Sequence, residues 1–204
     1  MNILAFDTCL DKTYIALSES ERIIKSEIIS SDGENYHSAY LISTIAKVLK
    51  EAGLTPKDLD MIATDIGPGS FTGIRACTTV ARVLAQQLDI KAVGVPSLEI
   101  LSRILGGSDM VALDARKNKA YLYDGKILGA VELEKVDELV QGKRVVTDDS
   151  LLERISKNAS KAVSYQKGEY PLGEILSELA LNKEETGWRK LKPLYVQPPP
   201  VYGK

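Results

Sequence analysis

One stretch constrains this chain more than any other: Met61-Ile-Ala-Thr-Asp65-Ile-Gly67-Pro68-Gly69-Ser70-Phe71-Thr72-Gly73-Ile74-Arg75, running on to Leu88. The run Met61–Asp65 reads as a short strand, the three glycines that follow as a tight loop, and the residues from Ser70 or Thr72 onward as a helix. Glycine lets a backbone approach closely, and the first N–H groups of a helix carry partial positive charge, so this layout suits an anion. A tight strand-to-helix connection with no ligand reads equally well. The loop is not a Walker motif, because no Lys-Ser/Thr follows Gly73. It is not a dinucleotide fingerprint either, since Pro68 intervenes and the spacing differs.

The rest of the chain reads as α/β. Asn2–Asp7, Thr13–Ser18 and Arg22–Ile29 form a three-strand meander, followed by a helix over His37–Ala52 that presents Leu41, Ile45, Val48 and Leu49 on one face and stops at Gly53. Thr55-Pro56 opens a short helix, and after the glycine loop and the helix Thr72–Leu88 comes the strand Ala92–Val95. The second half repeats these materials: a helix over Ser97–Leu105, strands at Asp109–Asp114, Lys119–Tyr123 and Ile127–Leu133 with Asp124-Gly125 as a hairpin turn, and helices near 136–140, 150–158 and 171–181. Strands at Arg144–Thr147 and Ala162–Ser164 complete it. This order predicts one domain over 1–96, a second over 97–191 and an extended proline-bearing tail over 192–204.

Residue inventory removes several function classes. A single histidine, His37, excludes any metal site built on two histidines and leaves a Ser-His-Asp or Cys-His arrangement with only that residue to use. A net charge of −2, from 26 basic and 28 acidic side chains, gives no global footprint for nucleic acid. No apolar run approaches the ~20 residues of a membrane span, and the expected location is the cytoplasm. The two cysteines, Cys9 and Cys77, fit reduced, buried positions there. Asp7 with Thr8 and Thr13 is one candidate grip for a magnesium-bound phosphate, although the turn to Lys12 has no glycine to wrap it. Asp114-Ala-Arg116 is a charged pair at a strand end, with Lys117, Asn118 and Lys119 beside it. On the second helix Arg75, Thr79, Arg82 and Val83 lie opposite the apolar face of Ile74, Cys77, Ala81, Leu84 and Leu88, which leaves room for a partner helix.

The motif Gly67-Pro68-Gly69-Ser70-Phe71-Thr72-Gly73-Ile74-Arg75 resembles the signature of the TsaB (YeaZ) family, the non-catalytic partner in bacterial tRNA threonylcarbamoyladenosine synthesis. Ile3–Thr8, the helix from His37 to Ala52, Asp58-Leu-Asp60, Gly94–Glu99, Asp114-Ala-Arg116 and Pro193-Leu-Tyr195 agree with it. The resemblance implies an actin/Hsp70/sugar-kinase (ASKHA-like) fold of two related α/β domains, the second smaller and degenerate. It implies a scaffold and activator of TsaD, the catalytic paralogue, with TsaE as the ATPase, acting in transfer of the threonylcarbamoyl group to the adenosine next to the anticodon of tRNAs reading A-starting codons.

The same resemblance implies no catalytic group, no metal and no cofactor of its own, and admits ATP or ADP at the interface with TsaD. It implies a homodimer when the chain is alone, and tRNA contact only through the complex. The segment that holds two metal-binding histidines in the catalytic relatives matches Val95–Leu101, with Ser97 and Leu101 in their places. The partner-binding surface it implies lies on the two N-terminal-domain helices, with Tyr40, Thr44, Lys47, Arg75, Thr79, Arg82 and Val83 as contact residues. The usual serine after Asp-Thr is Cys9 here, which weakens a phosphate reading of the first turn. The alternative to the scaffold is a phosphotransferase or ATPase working through Asp7 and the Gly67–Gly73 loop.

Overall fold

The computed structural model describes residues 1–30, 37–107 and 109–197, without the side chains of residues 37 and 38. Two compact units divide the described residues: those of 1–100 with 171–193, and those of 101–170 with 194–197.

The first unit is built on a five-stranded sheet of order β3-β2-β1-β4-β5. Its strands are β1 (Asn2–Asp7), β2 (Thr13–Glu19), β3 (Arg22–Ile29), β4 (Met61–Asp65) and β5 (Lys91–Val95). β1 runs antiparallel to β2 and parallel to β4, so the meander supplies one half of the sheet and the crossovers the other. Ile3–Asp7 and all of β4 are buried, as central strands covered on both faces require. Leu4, Phe6, Ile15, Leu17 and Ile62 pack with one another and with two helices, α1 (Leu41–Glu51) and α2 (Phe71–Leu88).

Both helices begin and end where their sequences direct. Ser70 caps α2 by accepting a hydrogen bond from the Gly73 N–H at 3.2 Å. A one-turn 3₁₀ segment, His37–Tyr40, leads into α1. At its far end Leu54 N–H reaches back to the Leu49 carbonyl while Gly53 takes φ +71°, the left-handed conformation that closes helices.

The second unit repeats the order on a smaller scale: its sheet runs β10-β9-β6-β7-β8, with β6 (Met110–Arg116), β7 (Lys119–Tyr123) and β8 (Ile127–Glu132) antiparallel, and β9 (Arg144–Thr147) and β10 (Lys161–Ser164) parallel. Its helices α4 (Leu133–Leu139) and α5 (Asp149–Ser156) take the chain positions of α1 and α2 but have 7 and 8 residues against 11 and 18. Val136, Val140, Leu151 and Ile155 pack them on Met110, Ala112, Leu122 and Val145. Two related α/β units, the second reduced, is the ASKHA-like architecture.

The expected division into 1–96 and 97–191 is redrawn, with 97–100 and 171–193 joining the first unit. Helix α6 (Leu172–Leu181) and the short α7 (Gly187–Lys190) belong to the first unit rather than the second. The cause is the uncovered face of the first sheet. Leu172, Gly173, Leu176, Ser177 and Ala180 bury against it, and Gly173 comes so near that an added Cβ would sit 3.0 Å from the Ile15 carbonyl carbon. Ser177 and Ser18 satisfy each other's hydroxyls there at 2.7 Å. The helix expected over Ser97–Leu105 is α3, confined to Ser97–Leu101. The tail from Leu191 to Gln197 contains neither helix nor strand, and 198–204 lie outside the described residues.

Candidate functional site

β1 and β4 are adjacent parallel strands in register Phe6↔Thr64, so the acids that end them, Asp7 and Asp65, arrive side by side. Both are buried. Asp7 Oδ1 accepts from the Cys9 N–H at 2.5 Å, which shapes the first turn. Asp65 Oδ1 accepts from the Gly67 N–H at 2.6 Å and from Ser97 Oγ at 2.7 Å, which shapes the start of the glycine loop. Among the described residues, the second oxygen of each carboxylate has no hydrogen-bond partner. Burial pushes the Asp7 carboxyl well above the ordinary carboxylate range, and the neighbouring Asp65 charge adds to the shift. Burial raises Asp65 as well, to about 6, against the opposing effect of its bonds from Gly67 and Ser97. The Cys9 thiol is held high chiefly by the same burial, and its sulfur lies 3.4 Å from that of Cys77 on α2.

The glycines of the loop are there for the chain's own backbone. A Cβ on Gly73 would stand 1.8 Å from the Thr8 carbonyl oxygen, and one on Gly69 would stand 2.3 Å from the Cys9 carbonyl oxygen. The first turn therefore sits in the hollow where a phosphate-binding loop would leave space. Two bonds fasten it: Ser70 N–H donates to the Cys9 carbonyl at 2.7 Å, and Thr8 Oγ1 donates to the Gly73 carbonyl at 2.6 Å. Gly67, at φ +101°, makes the bend after β4 that allows this, and its carbonyl accepts from Ser97 N–H at 2.9 Å. Reading Asp7 and the loop as a nucleotide grip is thus corrected: the space is filled and the carboxylate faces inward. Of the motif residues, Gly67, Pro68 and Gly73 are buried, Ser70 is half-buried, and Gly69, Phe71 and Thr72 reach the surface.

The outer face of α1 and α2 differs in kind. Ile42 is 68% exposed, Val83 51% and Phe71 46%. Arg75, Thr79, Arg82 and Lys47 are exposed with them, whereas Tyr40 and Thr44 are half-buried. Arg75 lies over the Phe71 ring, 3.9 Å from its centroid, and Lys47 is paired with Glu27 at 3.0 Å. The sequence reading missed Ile42. The signal was available, since Leu41, Ile45, Val48 and Leu49 complete the core stripe of α1 and leave Ile42 an apolar residue off its period.

Ser97 is spent on Asp65, and Leu101, the other expected histidine-replacing position, is buried. Asp114 and Arg116 pair at 3.2 Å with the arginine side chain 86% exposed, a contact worth little. Arg116 instead opens a turn of three residues at positive φ, closed by Asp114 Oδ1 accepting from Arg116 N–H. His37 begins the 3₁₀ segment, and its side chain lies outside the described residues.

The family model described as "TsaD: tRNA N6-adenosine threonylcarbamoyltransferase" matches residues 22–173, most of the chain. The chain belongs to this family. The tRNA threonylcarbamoyladenosine biosynthesis protein TsaB of Bacillus subtilis (strain 168) is 36% identical over 124 residues, 59% of this chain and 53% of that protein. Its counterpart from Buchnera aphidicola subsp. Schizaphis graminum is 38% identical over 104 residues, 50% of this chain and 47% of that protein. The matched part thus spans about half the length of these curated relatives. The solved structure of YeaZ from Pseudomonas aeruginosa superposes with a TM-score of 0.73 at 24% identity, covering 95% of this chain and 99% of that one, so the two share one fold over nearly all of both. No helix among the described residues is long and apolar enough to cross a membrane.

Proposed function

We propose that this TsaB-branch chain is the non-catalytic scaffold and activator of TsaD in threonylcarbamoyl transfer to the adenosine beside the anticodon of tRNAs reading A-starting codons. The observation that carries the reading is three large apolar side chains, Ile42, Phe71 and Val83, exposed among polar ones on helices α1 and α2, whose inner faces are engaged in the core. Arg75, Thr79 and Arg82, with Tyr40, Thr44 and Lys47 on α1, are the polar groups that surround it in this proposal. Two helices offered to two helices bury apolar area efficiently and fix a partner's angle. The same face serves a second copy when the chain is alone. TsaE is the ATPase of the assembly, ATP or ADP is accommodated at the TsaD interface rather than by this chain, and tRNA is reached through the complex.

The test is reconstitution. Mixing the purified chain with TsaD gives a heteromer on gel filtration and, with TsaE and ATP, tRNA modification that TsaD alone lacks. Val83→Glu and Ile42→Arg each weaken the heteromer about tenfold or more, the usual cost of spoiling a buried anchor. Full TsaD activity without this chain, or an unchanged heteromer with both variants, overturns the proposal.

A further inference from the structure

The cluster beneath the glycine loop is unusual for a protein interior. One carboxylate oxygen each of Asp7 and Asp65 and the Cys9 sulfur lie within 4.8 Å of one another, all three residues buried. Among the described residues, one oxygen of each carboxylate has no hydrogen-bond partner and neither acid forms an ion pair with a lysine, arginine or histidine. Cys77 brings a second thiol to 3.4 Å from Cys9 Sγ and 3.1 Å from the Asp65 carbonyl oxygen. Two acids and two thiols are thus gathered, among the described residues without an ion-paired cation, in a place where an isolated anion is costly.

We propose that Asp7, Cys9 and Asp65, with Cys77 as the fourth candidate ligand, bind one divalent cation of the thiolate-accepting class, with Zn²⁺ as its type. Zinc holds oxygen at about 2.0–2.2 Å and sulfur at about 2.3 Å in a tetrahedron, which sets ligand atoms roughly 3.3–3.8 Å apart. The three ligand atoms lie within 4.8 Å of one another, so binding draws them together by about 1 Å. Mixed carboxylate and thiolate donors favour a borderline-soft ion over magnesium or calcium, which take oxygen shells. The second shell is in place: the remaining oxygen of each carboxylate is oriented by the Cys9 N–H, the Gly67 N–H and Ser97 Oγ. Forming the metal–sulfur bond breaks the Cys9 S–H bond and its proton leaves to the buffer, so uptake releases protons. The ion would tie the ends of β1 and β4 to the inner side of α2, a role independent of whether TsaD is the partner.

The experiment uses Cd²⁺ as the probe on the full chain, first stripped with a chelator and kept reduced with a phosphine. Cys9 and Cys77 are its two cysteines, so any thiolate-to-cadmium ultraviolet band reports on this cluster alone. The expected result is a band saturating at one Cd²⁺ per chain, displaced by Zn²⁺ but not by excess Mg²⁺, with proton release. Because the cluster is buried, a parallel sample is unfolded and refolded with Cd²⁺ present. Asp65→Asn and Asp7→Asn lower the affinity by about tenfold or more, since disturbing even the outer shell of a site reaches that scale. Cys9→Ser weakens the band, and it is the comparison used if the carboxylate variants do not fold. No thiolate band in either wild-type sample overturns the proposal and leaves a carboxylic acid–carboxylate pair sharing a proton. A band insensitive to every folded variant of Asp7, Asp65 and Cys9 overturns it too.

Discussion

Replacing Gly73 by alanine sets two effects of opposite sign against each other. In an ordinary helix the change gains about 1 kcal/mol, because glycine loses more backbone freedom than alanine. Here the new Cβ would lie 1.8 Å from the Thr8 carbonyl oxygen and 2.7 Å from its carbon, where van der Waals contact begins near 3.4 Å. Both atoms are backbone, so no side chain can rotate away, and the first turn or the start of α2 must move by more than an ångström. Overpacking of that kind costs about 1–3 kcal/mol. The same movement stretches the buried bonds from Thr8 Oγ1 to the Gly73 carbonyl and from Ser70 N–H to the Cys9 carbonyl, 2.6 and 2.7 Å long. Losing them leaves buried polar groups unpaired, at about 1–3 kcal/mol each when unrelieved. The propensity gain is outweighed, and Gly73→Ala is expected to destabilise the chain by about 2–5 kcal/mol. Urea unfolding measures it as a fall in midpoint at unchanged slope. Gly53→Ala supplies the comparison: φ is +71° with nothing within 4 Å of the added carbon, so only the left-handed cost of about 1–2 kcal/mol applies. A Gly73→Ala protein as stable as Gly53→Ala would refute the view that these glycines exist to admit the first turn.

Other consequences are as direct. Ile74, 3% exposed on the inner face of α2, should cost about 2–5 kcal/mol on truncation to alanine while Thr79→Arg leaves the unfolding midpoint unchanged, as thermal or urea unfolding can check. Ser18→Ala and Ser177→Ala should each destabilise by about 1–3 kcal/mol, because each strands the other's buried hydroxyl, and the double variant should lose less than their sum in a double-mutant cycle. Asp58 is held below the ordinary carboxylate range by the Thr55 N–H; its stabilising effect is therefore present above the unfolded value of about 4 and lost as pH falls through the folded one, so the stability difference between wild type and Asp58→Asn should shrink on acidification.

What the sequence made legible follows from how local each signal is. The strands of the meander, the hairpin at Asp124-Gly125, the cap at Ser70 and the stop at Gly53 are each decided within a few residues, and each is where the sequence puts it. The placement of α6 was not legible, because its apolar face has the same period whichever sheet it covers; only the open face of the first sheet decides. The glycine loop was visible as a close approach of backbone to something, but the partner is the turn at Thr8 and Cys9, more than fifty positions earlier. The buried acid pair needed the register of β1 on β4, and the thiol pair joins positions 68 apart.

These long-range features bear on assembly as well as stability. A surface helix that rocks on its core offers a partner many orientations, and ordering it on binding costs affinity. Helix α2 has little freedom of that kind. Its first turn is bonded to the turn after β1, its Cys77 packs against Cys9, and α7 packs against it, where Trp188 and Leu191 join the same core. In the proposed complex, the glycine loop and the first turn act as the fastening of a platform that presents Phe71, Arg75, Thr79 and Val83 in one fixed arrangement. On this view, loosening the fastening without touching the outer face, as Gly69→Ala does by driving a carbon to 2.3 Å from the Cys9 carbonyl oxygen, should weaken TsaD binding even though no contact residue has changed.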